Sequence, residues 1–216
     1  MAKWYLAVRK ACTTCTVLGA DVVDRSNAAS WTQRLVKAAK RQPVGWGLHA
    51  YNDVNTFTTA STRAFLKGTK GQVWLTETGG VLDRSNPRYA FSGCGTQHAA
   101  RATEYLLRQL TPISSRITHV YLYSWSTGEL DRSWDSGLIG PYGETRPALD
   151  VVRGWLGLGP ADPTPIPPDL QPATVSPCHA GPAFVAKKKA TPKKKKASAK
   201  TKAKTPAAKR KGSRTR

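Results

Sequence analysis

A carboxylate at the end of a short apolar run is the side chain best placed for chemistry in this sequence. Residues 71–80 are GQVWLTETGG, so residues 73–76 predict a buried strand that Glu77 ends. Parallel α/β folds keep their active sites where strands end, which makes Glu77 a candidate catalytic carboxylate. The alternative is a glutamate that caps the following helix, and spacing alone does not separate the two interpretations.

Other polar and aromatic side chains follow predicted strands in the same way. His49 ends a strand at 44–49, Tyr51 comes two residues later, and Trp125 ends a strand at 118–125. Histidine and tyrosine can donate hydrogen bonds that keep a carboxylate ionised and oriented. Each residue alone is more often part of a core, but their position at successive strand ends favours a catalytic site.

The elements that must position these residues alternate between strand and helix patterns. Strands are predicted near residues 14–19, 44–49, 73–77 and 118–125, and apolar residues at helical spacing follow each of them. Residues 21–24 either continue the first strand or form a loop beyond it. This alternation indicates adjacent parallel strands with helices on the outer face. Four βα units before residue 158 make half of a (β/α)8 barrel, which needs roughly 250 residues. The predicted fold class is therefore α/β, a partial (β/α)8 barrel.

Between these elements the pattern predicts loops. Residues 50–53 are expected as the exit loop of the second strand, and residues 83–95 and 126–142 as long irregular loops. Trp134 and Glu129 in the last loop could line a binding subsite, although a surface loop without a special role is the favoured interpretation.

The cysteines do not predict a metal site. Cys12 and Cys15 have the spacing of redox and zinc motifs, but no second Cys-x-x-Cys pair follows and no βα turn frames them. We interpret them as two small residues at a helix-to-strand junction. No cofactor or metal is expected.

The strand-end segments resemble a known family. LHAY at residues 48–51, WLTETG at 74–79 and YSW at 123–125 resemble the ends of strands six, seven and eight of retaining glycoside hydrolases of clan A, the cellulase-like, family 5-type TIM barrels. Residues 135–148 resemble their closing segment, where an Arg-Pro-Ala helix start follows the eighth loop. The match covers roughly residues 10–158 and implies hydrolysis of O-glycosyl bonds in a polysaccharide or oligosaccharide.

The resemblance also implies roles for the candidate residues. Glu77 matches the nucleophile, and His49 and Tyr51 match the active-site pair after strand six. Trp125 matches the aromatic floor of a sugar subsite. The family's acid/base is the Glu of an Asn-Glu pair that ends strand four, and this sequence contains no Asn-Glu pair. We therefore expect the C-terminal half of a longer product, or an eroded relative, that is inactive or nearly so as given.

The charge of the chain is concentrated near its C-terminus. Residues 187–216 contain fifteen Lys or Arg and no Asp or Glu, so +15 of the net +21 belongs to this segment. Residues 1–158, which hold all seven tryptophans, are long enough to form one domain, and the proline-rich residues 159–186 predict an extended linker. The basic segment resembles linker-histone tails in composition and is expected to be disordered.

Two functions from different classes are compatible with the sequence. One is a fragment of a retaining β-glycoside hydrolase, and the other is non-catalytic binding of a polyanion, DNA or an anionic cell-wall polymer, through residues 187–216. A solubilising tail without a partner is the alternative for that segment. No apolar run approaches the roughly 18 residues of a membrane span. The N-terminus lacks the features of a signal peptide, so the compartment is unknown, although a full-length parent is expected to be secreted or cell-wall associated.

Overall fold

The computed structural model describes residues 1–84, 93–127 and 134–162 of the chain. Strands and helices alternate within these ranges, as the sequence pattern predicts. The main sheet contains β1 (Asp21–Val23), β2 (Gly45–His49), β3 (Gln72–Thr78) and β5 (Ile117–Leu122). Two short strands, β4 (Asp83–Arg84) and β6 (Trp134–Asp135), pair antiparallel in a second sheet.

The α-helices of the described chain lie between or beyond the strands of the main sheet. They are α1 (Ala2–Ala11), α2 (Ala28–Ala39), α3 (Tyr51–Asn55), α4 (Ala60–Gly68), α5 (Thr96–Tyr105) and α6 (Pro147–Trp155). A π-helical turn continues α5 as far as Leu110. Pro147 begins α6 at the position where the missing N–H of proline leaves no hydrogen bond unmade.

All strands of the main sheet are parallel and lie side by side in the order β1-β2-β3-β5. The Cα atom of His49 pairs with Val23 on one side and with Glu77 on the other. The strands are thus neighbours in the order in which they occur along the chain, as in part of a barrel. The predicted α/β class and partial (β/α)8 architecture are confirmed.

Helices cover one face of this sheet. The buried cluster on that face joins alternate residues of the strands to the apolar sides of the helices. Its strand members are Trp46, Leu48, Val73 and Leu75, and its helix members include Leu35, Phe65, Leu106 and Leu110. Removal of this apolar surface from water is the main force that holds the helices against the sheet.

The opposite face of the sheet, here called the open face, carries the other alternate residues. Val23, Tyr121 and Tyr123 have large exposed surfaces there, and the rings of Trp74 and His119 pack at 4.0 Å between centroids. Apolar and aromatic side chains are therefore exposed on a sheet whose other face is fully covered.

The first strand does not lie where it is predicted. Residues 14–19 are β-branched and stop at a glycine, but pairing with β2 begins only at Gly19, whose N–H donates to Gly45 O at 2.9 Å. The strand itself is β1, from Asp21 to Val23. Local β propensity placed the strand too early, because the hydrogen-bonding partner and not propensity decides where a short strand forms.

Three predicted loops contain regular structure. Residues 51–53 belong to α3, and the stretches 83–95 and 126–142 contain β4 and β6. The predicted strand at 118–125 ends instead at Leu122, and the Tyr123–Ser124 peptide bond is cis. Two-residue strands are too short for a recognisable alternation of polar and apolar residues, so sequence periodicity misses them.

Cys12 and Cys15 are joined by a disulfide, so the interpretation as two small residues at a helix-to-strand junction is wrong in favour of the redox-type spacing of the pair. Cys12 directly follows α1 as its C-cap, and the turn after it brings the two Cα atoms to 5.4 Å, within the range that a disulfide can span. In the described part of the chain, no helix has both the length and the apolar character required to cross a membrane. Glu129, most of the predicted linker and the whole basic segment at 187–216 lie outside the described residues.

Candidate active site

Glu77 reaches the open face of the sheet because β3 departs from strict alternation. Val73 and Leu75 are buried against the helices, so Glu77 would follow them to the same side in a regular strand. The registers of β3 with β2 and with β5 are both irregular near this point. Thr78, not Glu77, is fully buried, and the Glu77 side chain retains 34% of its exposure. A local bulge thus turns the carboxylate out of the core.

Two side chains contact the two oxygens of this carboxylate. The Tyr51 hydroxyl donates to Glu77 Oε1 at 3.1 Å, and His49 Nδ1 lies 3.3 Å from Glu77 Oε2. His49 is the last residue of β2, and Tyr51 is the first residue of α3. Both contacts come from the strand next to β3 and the turn that follows it, so strand pairing is what brings the three residues together.

A second carboxylate, Asp21, extends this group across the sheet. Its Oδ2 lies 3.1 Å from His49 Nε2, and its Oδ1 accepts a hydrogen bond from the Thr76 hydroxyl at 2.6 Å. The imidazole of His49 therefore lies between two carboxylates. We call Asp21, His49 and Glu77 the carboxylate–histidine cluster.

Gly47 makes the bond between Asp21 and Thr76 possible. Asp21 is on β1 and Thr76 is on β3, so their side chains meet over the backbone of β2, which lies between them. A Cβ atom on Gly47 would be 2.8 Å from Thr76 Oγ1 and would also collide with Asp21. Asp21 was not predicted from the sequence, and the only signal for it was an acidic residue opening a strand opposite a glycine.

Tyr51 is suited to remain a donor. Burial raises the pKa of its phenol far above the usual value, the negative charge of Glu77 raises it further, and a hydrogen bond with Ser136 acts weakly in the opposite direction. The phenol therefore stays protonated throughout the physiological range. Its ring is 4% exposed, and the Trp134 indole packs against it edge to face, with 4.7 Å between centroids.

Asp24 and Asp53 are buried carboxyls that serve the fold and do not contact Glu77. Asp24 follows β1 and accepts the Asp53 N–H at 2.9 Å. Burial raises the pKa of Asp24 to about 7, and the negative charge of Asp53 also raises it, while backbone hydrogen bonds lower it. Asp53 in turn accepts the N–H groups of Ser61 and Thr62 at the start of α4.

Trp125 is the fourth predicted site residue. It follows β5, its backbone bonds to Leu138 and Ile139, and its side chain is 66% exposed. No hydrogen bond among the described residues joins it to Glu77. The structure thus brings Glu77, His49 and Tyr51 together and leaves Trp125 as an exposed indole at the same end of the sheet.

The arrangement holds one carboxylate between a phenol donor and an imidazole, on a face open to a ligand. The chemistry that it offers is that of a nucleophilic or basic carboxylate. Groups of three or more His, Cys, Asp or Glu side chains that could bind a metal ion are absent from the described residues.

No protein-family model and no curated protein sequence matches the chain. Among solved structures, it is similar to native xylanase 10B from Thermotoga maritima, with 13% identity, a TM-score of 0.51, and coverage of 72% of this chain and 51% of the xylanase. It is also similar to a thermostable mutant of the xylanase Xyn10A from Cellvibrio japonicus, with 12% identity, a TM-score of 0.52, and coverage of 72% and 53%.

At these identities the similarity concerns the fold alone. The chain spans about half the length of each xylanase. The fold that it shares with these xylanases is that of a partial TIM barrel.

Proposed function

We propose that this chain is the C-terminal half of a retaining β-glycoside hydrolase that acts on O-glycosyl bonds of a polysaccharide, with Glu77 as the nucleophile. The observation that carries the proposal is the placement of His49 and Tyr51 on the two oxygens of Glu77. The Tyr51 hydrogen bond to one oxygen and the imidazole beside the other fix the orientation of the carboxylate, as a nucleophile that must attack an anomeric carbon requires.

In this mechanism Glu77 attacks the anomeric carbon while a second carboxyl group protonates the leaving oxygen. Water then hydrolyses the glycosyl-enzyme, and the second carboxyl acts as the base. Tyr51 remains protonated and keeps its hydrogen bond to the nucleophile. The exposed indole of Trp125 supplies a face on which a sugar ring can stack.

The second carboxyl must come from elsewhere. Asp21 is on the far side of the His49 imidazole, and Asp24 and Asp53 are engaged with backbone N–H groups. We infer that further βα units supply the acid, and that these units cover the exposed residues of the open face. The absence of an Asn-Glu pair from the sequence supports this inference.

The nucleophile can be tested without the acid. In a 2-deoxy-2-fluoro glycoside with a dinitrophenolate leaving group, the dinitrophenolate departs without protonation. Glu77 alone can therefore form the covalent glycosyl-enzyme. We expect intact-protein mass spectrometry to show the addition of one sugar to the wild-type chain with xylosyl, glucosyl or mannosyl reagents. Peptide mapping should place that sugar on Glu77.

Glu77→Gln should abolish the labelling. Glu104→Gln is the matched control, because Glu104 is an exposed glutamate on α5 that pairs with Arg108. Equal labelling of wild type and Glu77→Gln would show that Glu77 is not the nucleophile.

A second candidate function, polyanion binding, rests on the fifteen positive and no negative charges of residues 187–216. Each neutralised phosphate contributes roughly 0.9 to the slope of log K against log salt, so engagement of about half of these charges predicts a slope of order −6 or steeper. We expect deletion of residues 187–216 to remove binding to duplex DNA and to a teichoic-acid-like polymer.

Fluorescence anisotropy over a salt series measures this slope. Equal binding by the shortened chain would place the polyanion site in residues 1–158, on basic side chains such as Arg25, Arg34, Lys37 and Arg41, and would leave residues 187–216 as a solubilising tail.

A further inference from the structure

The residue that covers Tyr51 comes from a distant part of the chain. Trp134, on β6, places its indole edge to face against the phenol of Tyr51, with 80° between the ring planes. Tyr51 and Val81 form a small buried cluster, and Trp134 packs against it. Because Tyr51 holds Glu77 through its hydroxyl, the indole lies directly behind a contact of the proposed nucleophile.

Hydrogen bonds fix the position of this indole. Trp134 Nε1 donates to Ser136 Oγ at 3.0 Å, and the Ser136 hydroxyl donates to Tyr123 O at 2.7 Å. The strand that carries Trp134 is also tied to the segment after Glu77, since Leu82 N donates to Asp135 O at 2.7 Å. Trp134 is therefore fixed both through its indole and through the backbone of the residue that follows it.

A buried ion pair anchors the neighbouring residue. The guanidinium of Arg146 binds both oxygens of Asp135, at 2.7 Å and 2.9 Å, and Arg146 also donates to Gly137 O at 2.9 Å. Burial alone would raise the pKa of Asp135, but the hydrogen bonds from Arg146 and Thr127 outweigh it and leave this pKa below its usual value. Planar bidentate pairing of this kind restricts the position of the carboxylate, and hence of Trp134 beside it.

We propose that Trp134 is a positioning residue that holds the Tyr51 hydroxyl on Glu77, and that the Arg146–Asp135 pair holds Trp134 in place. Its relevance to catalysis rests on the proposed function, whereas the positioning of Tyr51 can be measured independently. Trp134 thus acts on the nucleophile through another side chain, and not by lining a sugar subsite.

The test follows the Tyr51 phenol by NMR, in protein labelled with ¹³C at the tyrosine Cζ and assigned with Tyr51→Phe. In the wild type, we expect the Tyr51 signal not to titrate near pH 10, where unperturbed tyrosines do. In Trp134→Ala the phenol becomes exposed, and its titration should shift toward that pH. Trp134→Phe keeps an aromatic ring and should restore most of the wild-type behaviour.

Labelling of Glu77 by the activated fluoroglycoside provides the second readout. A hydrogen bond to a charged group is strong enough that its loss should slow labelling by about tenfold in Trp134→Ala. Trp4→Ala is the matched control, because Trp4 is a highly exposed tryptophan on α1 and should change neither readout. Trp134→Leu, which fills more of the vacated volume, replaces the alanine variant if that variant fails to fold.

The two proposals fail in different ways. No labelling in any variant, together with a shifted Tyr51 titration in Trp134→Ala or Trp134→Leu, would remove the proposed nucleophile and leave the positioning role intact. A folded alanine or leucine variant whose Tyr51 titrates as in the wild type would overturn the positioning role, whatever the labelling shows.

Discussion

The two faces of the main sheet share one backbone but differ in burial and in the chemistry of their side chains. On the covered face, Val73 and Leu75 are fully buried in a continuous apolar cluster. On the open face, His49 and Glu77 lie in a polar group beside exposed aromatic rings. The covered face accounts for the stability of the fold, whereas the open face holds side chains able to do chemistry. Substitutions on the two faces should therefore have opposite consequences for folding and for reactivity.

The largest effect expected from this contrast is on turnover. The open face carries a candidate nucleophile without an acid, and general acid catalysis typically contributes 10²–10⁴-fold. We expect the purified chain to be inactive or nearly so on β-glucan and β-mannan, as measured by release of reducing sugar. Robust turnover that Glu77→Gln abolishes would show that another carboxyl, such as Asp24 or Asp53, supplies the proton.

The next largest effect is on stability, and it should be greater for substitutions on the covered face. Leu75→Ala leaves a cavity in the buried cluster, so we expect the free energy of unfolding to fall by about 2–5 kcal/mol. Tyr121→Ala, which removes a larger but half-exposed side chain from the open face, should cost less than about 1 kcal/mol. Urea unfolding followed by circular dichroism measures both. Equal losses would mean that the open face is packed in solution, for example against a second molecule.

A pH dependence should arise from the buried carboxyl of Asp24. Its pKa of about 7 is above the unfolded value of 3.8, so the native state binds this proton more tightly. The stabilisation from Asp24 is complete below about pH 4 and is lost as the pH rises toward 7, by up to roughly 4 kcal/mol.

Asp24→Asn should remove that part of the pH dependence, since the amide oxygen can still accept the Asp53 N–H. Urea titrations at pH 4 and pH 8 give the comparison. Asp150→Asn is the matched control, because Asp150 also accepts a backbone N–H but lies on the surface. An Asp24→Asn variant with the pH dependence of the wild type would exclude Asp24 as its source.

The smallest effect concerns a glycine beneath the carboxylate–histidine cluster. A Cβ in Gly47→Ala would force Asp21 and Thr76 apart, which should cost about 1–2 kcal/mol through their lost hydrogen bond. Gly154→Ala in α6, where a Cβ meets no neighbour, should instead stabilise the chain by about 0.5–1 kcal/mol. Thermal unfolding of the two variants should therefore shift in opposite directions. A shift in the same direction would show that the space above Gly47 is not restricted.

Much of the fold was predictable because it depends on local patterns. Residues 44–49 and 73–77 are short apolar segments bounded by glycine or proline, and both are strands. The parallel order follows from the alternation of these strands with helices, since a crossover helix returns the chain to the same edge of the sheet. The first strand was predicted too early in the chain, and the strands β4 and β6 were not predicted, because strands of two or three residues depend on their partners more than on their own sequence.

The candidate site also has one part that was predictable from the sequence and one part that was not. The sequence by itself determined that Glu77, His49 and Tyr51 follow neighbouring strands, because strand ends and chain order are local features. Tertiary structure alone decided that a bulge turns Glu77 out of the core, that Asp21 meets Thr76 over Gly47, and that Trp134 covers Tyr51. These contacts join residues far apart in the chain, and they depend on strand register and on a buried ion pair, which no spacing of residues along the sequence encodes.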